Sequence, residues 1–195
     1  MKLCVFQGTF NPIHNAHLYL ATEISKLYNF DKIIFIPAYK PPHKDYDINL
    51  SHHRYEMIKL AIKPFKDFSI SDIEYKREGL SYTYYTIQEL YKTYNVEEKI
   101  HFIIGEDAFA KIQTWHRADE LKDLLKFLVF PRSNSSNLEF DELKSKGYNF
   151  DIVRIPFMDI SSSQIREKVQ KNGNIEKLVP KKIEEYINKN GLYRD

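Results

Sequence analysis

The sequence predicts an α/β fold: a mainly parallel sheet flanked by helices, formed by one domain over residues 1–195. Two observations predict it. Short apolar runs alternate with helical patterns along most of the chain, with no internal repeat or low-complexity segment between them, which is the mark of strand–helix–strand units. A chain of 195 residues, 43% hydrophobic and 29% charged, suits one globular core that buries roughly 70% of the unfolded surface.

Each element has its own local signal. Leu3 to Phe6 is an apolar run stopped by Gly8, as a buried strand would be. Ala16 to Leu27 carries Leu18, Leu20, Ala21, Ile24 and Leu27 near helical spacing. Lys32 to Pro37 reads as a second buried strand closed by proline. After Ser51, the positions of Met57, Ile58, Ala61 and Ile62 predict a helix ending near Pro64. Phe68 to Ile73 alternates like a half-buried strand; Thr83 to Tyr94 reads as helix, Ile100 to Ile104 as strand, Ala118 to Leu125 as helix and Phe127 to Phe130 as strand. A short strand is expected at Ile152 to Ile155, with terminal helices at Ser161–Val169 and Lys181–Asn190, the last followed by Gly191. Tyr39 to Asn49 and Ser133 to Lys146 read as connections.

Composition excludes several classes. One cysteine, Cys4, cannot form an intrachain disulfide and is most simply a small core residue. The first apolar run stops at Gln7, short of a secretory signal, and no stretch approaches the ~20 apolar residues of a membrane span. A cytoplasmic location is expected. Net charge is only +2, from 29 basic and 27 acidic residues, which speaks against bulk nucleic-acid binding. A single nucleotide needs only a few well-placed donors. The sequence does not choose between a monomer and a homo-oligomer.

Parallel sheets place ligands at the carboxyl ends of their strands, and there the first strand runs into GTFNPIHNAH, Gly8 to His17. Gly8 allows a sharp turn and close approach of a ligand. Pro12 fixes the entry to the helix, and His14 and His17 lie on one face near its start. Helix N-termini favour phosphate through free amides and the positive dipole end, and imidazoles add donors to charge that grows during phosphoryl or nucleotidyl transfer. The bland alternative for the histidines is a structural role; a metal pair would need further ligands, and no third is evident nearby. A second constellation, ISSSQIR from Ile160 to Arg166, also follows an apolar strand and opens a helix. Its serines are cap residues by default. With the fork of Arg166 they become phosphate donors, and two such helix starts suggest one triphosphate between them.

GTFNPIHNAH and ISSSQIR together resemble the paired signatures of the nucleotidyltransferases that carry an H-x-G-H motif on a Rossmann-like fold. The chain is most similar to the bacterial nicotinate-nucleotide adenylyltransferases. The similarity covers nearly the whole chain: PAYKPPHK (Pro37 to Lys44), Arg54 with Met57, Leu60 and Ala61, GLSYTYYT (Gly79 to Thr86), FIIGEDAF (Phe102 to Phe109), Trp115, and LVP followed by YINKNGLY come in order. The resemblance implies adenylyl transfer from ATP to nicotinate mononucleotide, giving deamido-NAD and pyrophosphate, with Mg²⁺ on the ATP and no protein-held metal. Another phosphate acceptor, such as nicotinamide mononucleotide or phosphopantetheine, is the alternative; a nucleotide-sensing module without turnover is a rival from a different class.

Carried over by residue, the resemblance implies that Gly8, Thr9 and Phe10 line the nucleotide cleft and that His14, His17 and Arg166 stabilise the transition state. Ser162, Ser163 and Lys44 would help hold ATP. Tyr82, Thr83 and Trp115 would form the nicotinate pocket, with Gly105 and Asp107 at the sugars. Trp115 is the only tryptophan and sits among polar neighbours, so a stacking face is plausible beside an ordinary core role. Asp107 follows an apolar strand, where a ribose site and a helix cap are both open readings. The chain departs from the family at Asn11, where Asp is usual, at Ala16, where Gly is usual, and at Tyr85, where Asp is frequent. No general base is evident; an acceptor phosphate is already an anion, and positioning with charge stabilisation suffices.

Overall fold

The computed structural model describes residues 1–42, 47–77, 79–131 and 140–194. Among them, one parallel sheet has strands in the order β3-β2-β1-β4-β5-β6: β1 (Leu3–Gly8), β2 (Lys32–Pro37), β3 (Phe68–Ile70), β4 (Ile100–Gly105), β5 (Leu125–Phe130) and β6 (Phe150–Ile152). All neighbours are parallel, with Leu3 opposite Lys32, Cys4 opposite His101 and Ile100 opposite Leu125. This is the doubly wound order of the Rossmann-like fold, and its direction of winding reverses between β1 and β4.

The central strands are apolar on both faces because helices cover both. Cys4 and Phe6 of β1 point into the core formed with α1 (Asn15–Tyr28), α2 (Asn49–Ile62), α8 (Ser162–Gln170) and α9 (Lys181–Lys189). Leu3 and Val5 point the other way, to α4 (Thr83–Thr93), α6 (Ala118–Leu124) and Phe109 of the short α5 (Glu106–Phe109). The terminal helices belong to the same core: Ile165, Ile183 and Ile187 are fully buried in it, and burial of each such side chain stabilises by about 1.5–3 kcal/mol. Among the described residues no helix is long and apolar enough to cross a membrane.

Most expected elements lie within a residue or two of their predicted bounds, and the exceptions have local causes. The strand expected over Phe68–Ile73 stops at Ile70, because Ser71 Oγ accepts from the Ile73 N–H (3.3 Å) and turns the chain into α3 (Ile73–Lys76). The last strand is Phe150–Ile152 instead of Ile152–Ile155: its pairing sets Phe150 against Phe127, and the Val153 N–H closes the ladder on Val129 O at 2.8 Å. Leu125 opens β5 instead of ending α6. Ser51 does not start its helix. Asp47 Oδ1 accepts from the Asn49 N–H (2.8 Å), so α2 begins at Asn49 with Ser51 buried inside it. Within the two expected connections, residues 43–46 and 132–139 lie outside the described residues, and α7 (Asp141–Ser145) is an element that periodicity did not reveal.

One buried titratable group ties the sheet's stability to pH. His101, in β4, is 2% exposed and packs edge-on against Phe30 at 5.0 Å and near Tyr28 at 6.0 Å. Burial holds its pKa below the ordinary value, with Lys126 and Lys2 acting in the same direction and Glu98 and Asp151 against it. The unfolded chain therefore binds more protons than the native one in the window below about pH 6.5, and stability is lost as pH falls through that window. Urea unfolding between about pH 7 and pH 5 should show this slope, and His101→Phe should make it shallower; equal slopes in the two proteins would contradict the assignment.

Candidate active site between the first and fourth strands

β1 ends at Gly8 and the adjacent β4 ends at Gly105. Their outgoing helices lie on opposite faces of the sheet, which opens a crevice at the reversal point. Sequence reasoning places the sharp turn at Gly8. The reversal instead falls at Phe10, whose φ is +48°, before a cis Asn11–Pro12 peptide. What Gly8 supplies is room, since a Cβ there would lie 3.1 Å from the Phe10 ring. The Phe10 side chain is 3% exposed, packed 5.2 Å from Phe6, 5.8 Å from Phe35 and 5.0 Å from His17. Its buried ring thus supports His17 from the core.

Two guanidinium groups hold this turn by its carbonyls. Arg54, from α2, is 2% exposed; its Nη1 donates to Thr9 O and Ala38 O, both at 2.8 Å, and its Nη2 to Tyr39 O at 3.5 Å. Burial lowers its pKa, opposed by Tyr75, Tyr193 and Glu74. From the other side Arg166 Nη1 donates to Asn11 O and Ser162 Oγ to Pro12 O, each at 2.8 Å. The Asn11 side chain accepts from Tyr193 Oη at 2.7 Å; an amide oxygen is enough for that bond, so the departure from Asp keeps the turn tied. Burial keeps the Tyr193 phenol protonated, as a donor must be. Asn15 N–H to Leu178 O (2.9 Å) anchors the start of α1.

The histidine pair sits at that start. His14 is 5% exposed and forms the N-cap; its ring stacks on His17 with centroids 3.6 Å apart. The His14 N–H donates to His17 Nδ1 at 3.3 Å, which makes Nδ1 the acceptor and places the proton of the neutral ring on Nε2. Among the described residues no group of three His, Cys, Asp or Glu side chains could hold a metal ion. At α8 the cap is Ser161, which accepts from Gln164 N–H (3.2 Å) while Gln164 Oε1 accepts from Ser161 N–H (3.3 Å). That arrangement leaves Ser162 and Ser163 in the first turn, beside Arg166; Arg166 Nη2 donates to Ser163 Oγ at 3.3 Å.

On the far side of β1, Thr83 opens α4 and donates to Gln7 Oε1 at 2.9 Å. The Tyr82 ring lies 4.4 Å from His116, whose Nε2 is 3.1 Å from Tyr85 Oη. Tyr85 therefore pairs with the residue next to Trp115. Trp115 is half-buried and meets Phe102 of β4 edge-on at 6.1 Å. Gly105 is the N-cap of α5, and Asp107 is exposed in its first turn. Lys44 lies outside the described residues. A cavity of about 450 Å³ lined by Trp115, Arg117, Lys122, Lys146 and Tyr148 shares no lining residue with the Gly8–His17 turn.

The structure thus joins the two signatures directly, and links Thr83 to them through Gln7. Sequence reasoning singled out neither Arg54 as a tether nor Gln7, Glu74 and Tyr193. Arg54 did leave a signal, since it occupies a position on the apolar stripe that includes Met57, Ile58 and Ala61.

Comparison with known proteins shows the family of the chain and agrees with its fold. The description "Cytidylyltransferase-like" matches residues 5–168. A protein named "Probable nicotinate-nucleotide adenylyltransferase" from Caldicellulosiruptor saccharolyticus is 38% identical over all of both chains, and one of the same name from Clostridium tetani is 40% identical over 99% of each. Nicotinic acid mononucleotide adenylyltransferase of Plasmodium falciparum, solved with NaAD, shares the fold with a TM-score of 0.79 at 24% identity, over 98% of this chain and 97% of that one. The chain belongs to the cytidylyltransferase-like family of nucleotidyltransferases. Within that class it is an enzyme of the nicotinate-nucleotide adenylyltransferase group, to which its full-length relatives belong.

The role of Arg54 as tether is directly testable. Arg54→Leu leaves the Thr9 and Ala38 carbonyls without their donor, so urea unfolding should show a loss of about 1–3 kcal/mol, and Arg54→Lys, lacking the fork, should recover only part of it. Parent-like stability in Arg54→Leu would contradict the role.

Proposed function

We infer that the crevice carries adenylyl transfer from ATP to the phosphate of nicotinate mononucleotide. A phosphate oxygen of the acceptor forms the new bond to the α-phosphorus, the bond from that phosphorus to the α–β bridging oxygen breaks, and pyrophosphate leaves, giving deamido-NAD. The observation that carries this reading is the pair of bonds from Ser162 and Arg166 to the carbonyls of Pro12 and Asn11. They bring two phosphate-handling helix starts to one turn, as a single triphosphate requires. The full-length relatives supply the acceptor.

His17 Nε2–H, fixed by the bond at Nδ1, would donate to the phosphate oxygens on which charge grows, with His14 beside it. Arg166, Ser162 and Ser163 would hold the triphosphate from the opposite side, and Lys44 would join them. Thr9 and the Gly8 and Phe10 backbone would line the nucleotide side. Tyr82, Thr83 and Trp115 would receive the pyridine ring, with Gly105 and Asp107 near the sugars. These donor sets suit phosphate rather than a hard cation, so Mg²⁺ would be held by the triphosphate and water and would neutralise charge on the leaving pyrophosphate. A cytoplasmic location belongs to the same proposal.

Removal of one such donor costs about 10²–10³ in kcat. His17→Ala is therefore expected to retain the parent's thermal unfolding while pyrophosphate release from ATP and nicotinate mononucleotide falls by roughly that factor. Near-normal turnover by the folded variant would remove His17 from the mechanism.

A further inference from the structure

Three tyrosines at the start of α4 grip the two residues that follow Trp115. The Tyr82 ring lies 4.4 Å from the His116 imidazole, at 30° to it, and the Tyr85 ring lies 5.3 Å away. Tyr85 Oη and His116 Nε2 share a hydrogen bond of 3.1 Å. The next residue, Arg117, sets its guanidinium 4.1 Å over the Tyr84 ring and donates from Nε to Glu120 Oε1 at 2.8 Å. The proposed transfer uses none of Tyr84, Tyr85, His116 and Arg117.

The grip acts on a backbone that needs support. Trp115 leaves the short 3₁₀ turn Ile112–Thr114 with extended angles (φ −73°, ψ 150°), and Arg117 is left-handed at φ +56°. A residue with a long side chain keeps such an angle only where its surroundings over-determine it; here the Tyr84 face and Glu120 do so. His116, between the two, takes its direction from Tyr82 and Tyr85. Trp115 itself is half-buried and meets the core edge-on, 6.1 Å from Phe102. One edge of the indole is thus set by β4, and its backbone by the two residues that follow.

We propose that Tyr85, acting through His116, is a positioning residue that fixes the Trp115 indole for the acceptor's pyridine ring. This rests on the placement of Trp115 in the acceptor pocket. To turn its backbone, Trp115 must carry His116 away from the phenol, which breaks one hydrogen bond and two ring contacts. A stacking face held in place before the acceptor arrives spares the complex the cost of ordering it. Tyr85 is one of this chain's departures from its family, and a phenol supplies both a hydrogen bond and a ring face where a carboxylate supplies only the bond. The Arg77 guanidinium, 5.9 Å over the Tyr85 ring, holds that ring in turn.

The experiment measures kcat and KM by pyrophosphate release, with nicotinate mononucleotide and ATP varied separately. It compares the parent with Tyr85→Phe, His116→Phe and the double variant, with thermal unfolding as the check on folding. Tyr85→Phe keeps the ring and removes only the hydroxyl. KM for nicotinate mononucleotide should rise roughly three- to tenfold, the worth of one modest hydrogen bond, while kcat and KM for ATP stay within about twofold. The double variant should lose no more than the more affected single one, because both substitutions cut the same bond. Acrylamide quenching of Trp115, the only tryptophan, should be stronger in each variant than in the parent, with no nucleotide added. An unchanged KM for nicotinate mononucleotide in whichever variant folds, equal rises for both substrates, or losses that multiply in the double variant would overturn the proposal. A parent chain that does not turn over nicotinate mononucleotide overturns the proposed function instead. The quenching then decides the positioning role by itself, and equal quenching in parent and variants overturns it.

Discussion

A charged guanidinium with almost no contact with solvent is the constraint on which the rest of this structure depends. Arg54 donates to the carbonyls of Thr9 and Ala38, one just past the end of β1 and the other just past β2. Left without partners, a buried charge costs several kcal/mol; here main-chain dipoles surround it, and in return the first turn after β1 is fixed to its neighbouring strand. Phe10 can then hold a left-handed backbone angle with its ring in the core, and that ring sets the height of His17. The imidazole pair inherits its position from packing and from main-chain bonds.

The same turn receives the second helix start. Because Ser162 and Arg166 bond to Pro12 and Asn11, the segment near the C-terminus cannot shift without disturbing the histidines. Tyr193 extends that tie almost to the end of the chain. Local positive charge is thereby gathered in one crevice while the net charge stays at +2, which is how a chain of balanced composition can bind a polyanionic nucleotide. On the other face of β1 the polar network through Gln7 and Glu74 holds Thr83 to the same strand end.

Much of this was legible in the sequence because it is written in local patterns. Strand–helix alternation gives the parallel sheet, the Gly8–His17 and Ile160–Arg166 segments mark the two helix starts, and the resemblance to nicotinate-nucleotide adenylyltransferases covers nearly the full chain. The rest depends on contacts distant in sequence. Nothing local says that Tyr193 reaches Asn11 across 182 positions, or that Glu74 reaches Gln7 across 67. Nor does the glycine in GTF reveal that it serves the Phe10 ring instead of supplying the turn. The edge strands β3 and β6 shifted or shortened because one partner strand and a few turn bonds, rather than periodicity, define them.

The central claim is that the two helix starts form one triphosphate site. A crystal structure of the chain with a non-hydrolysable ATP analogue tests it most directly. The account predicts phosphates lying between His14 and His17 on one side and Ser162, Ser163 and Arg166 on the other. An analogue seated away from that turn, for example in the cavity beside Trp115 and Lys146, with neither helix start touching phosphate, would contradict it.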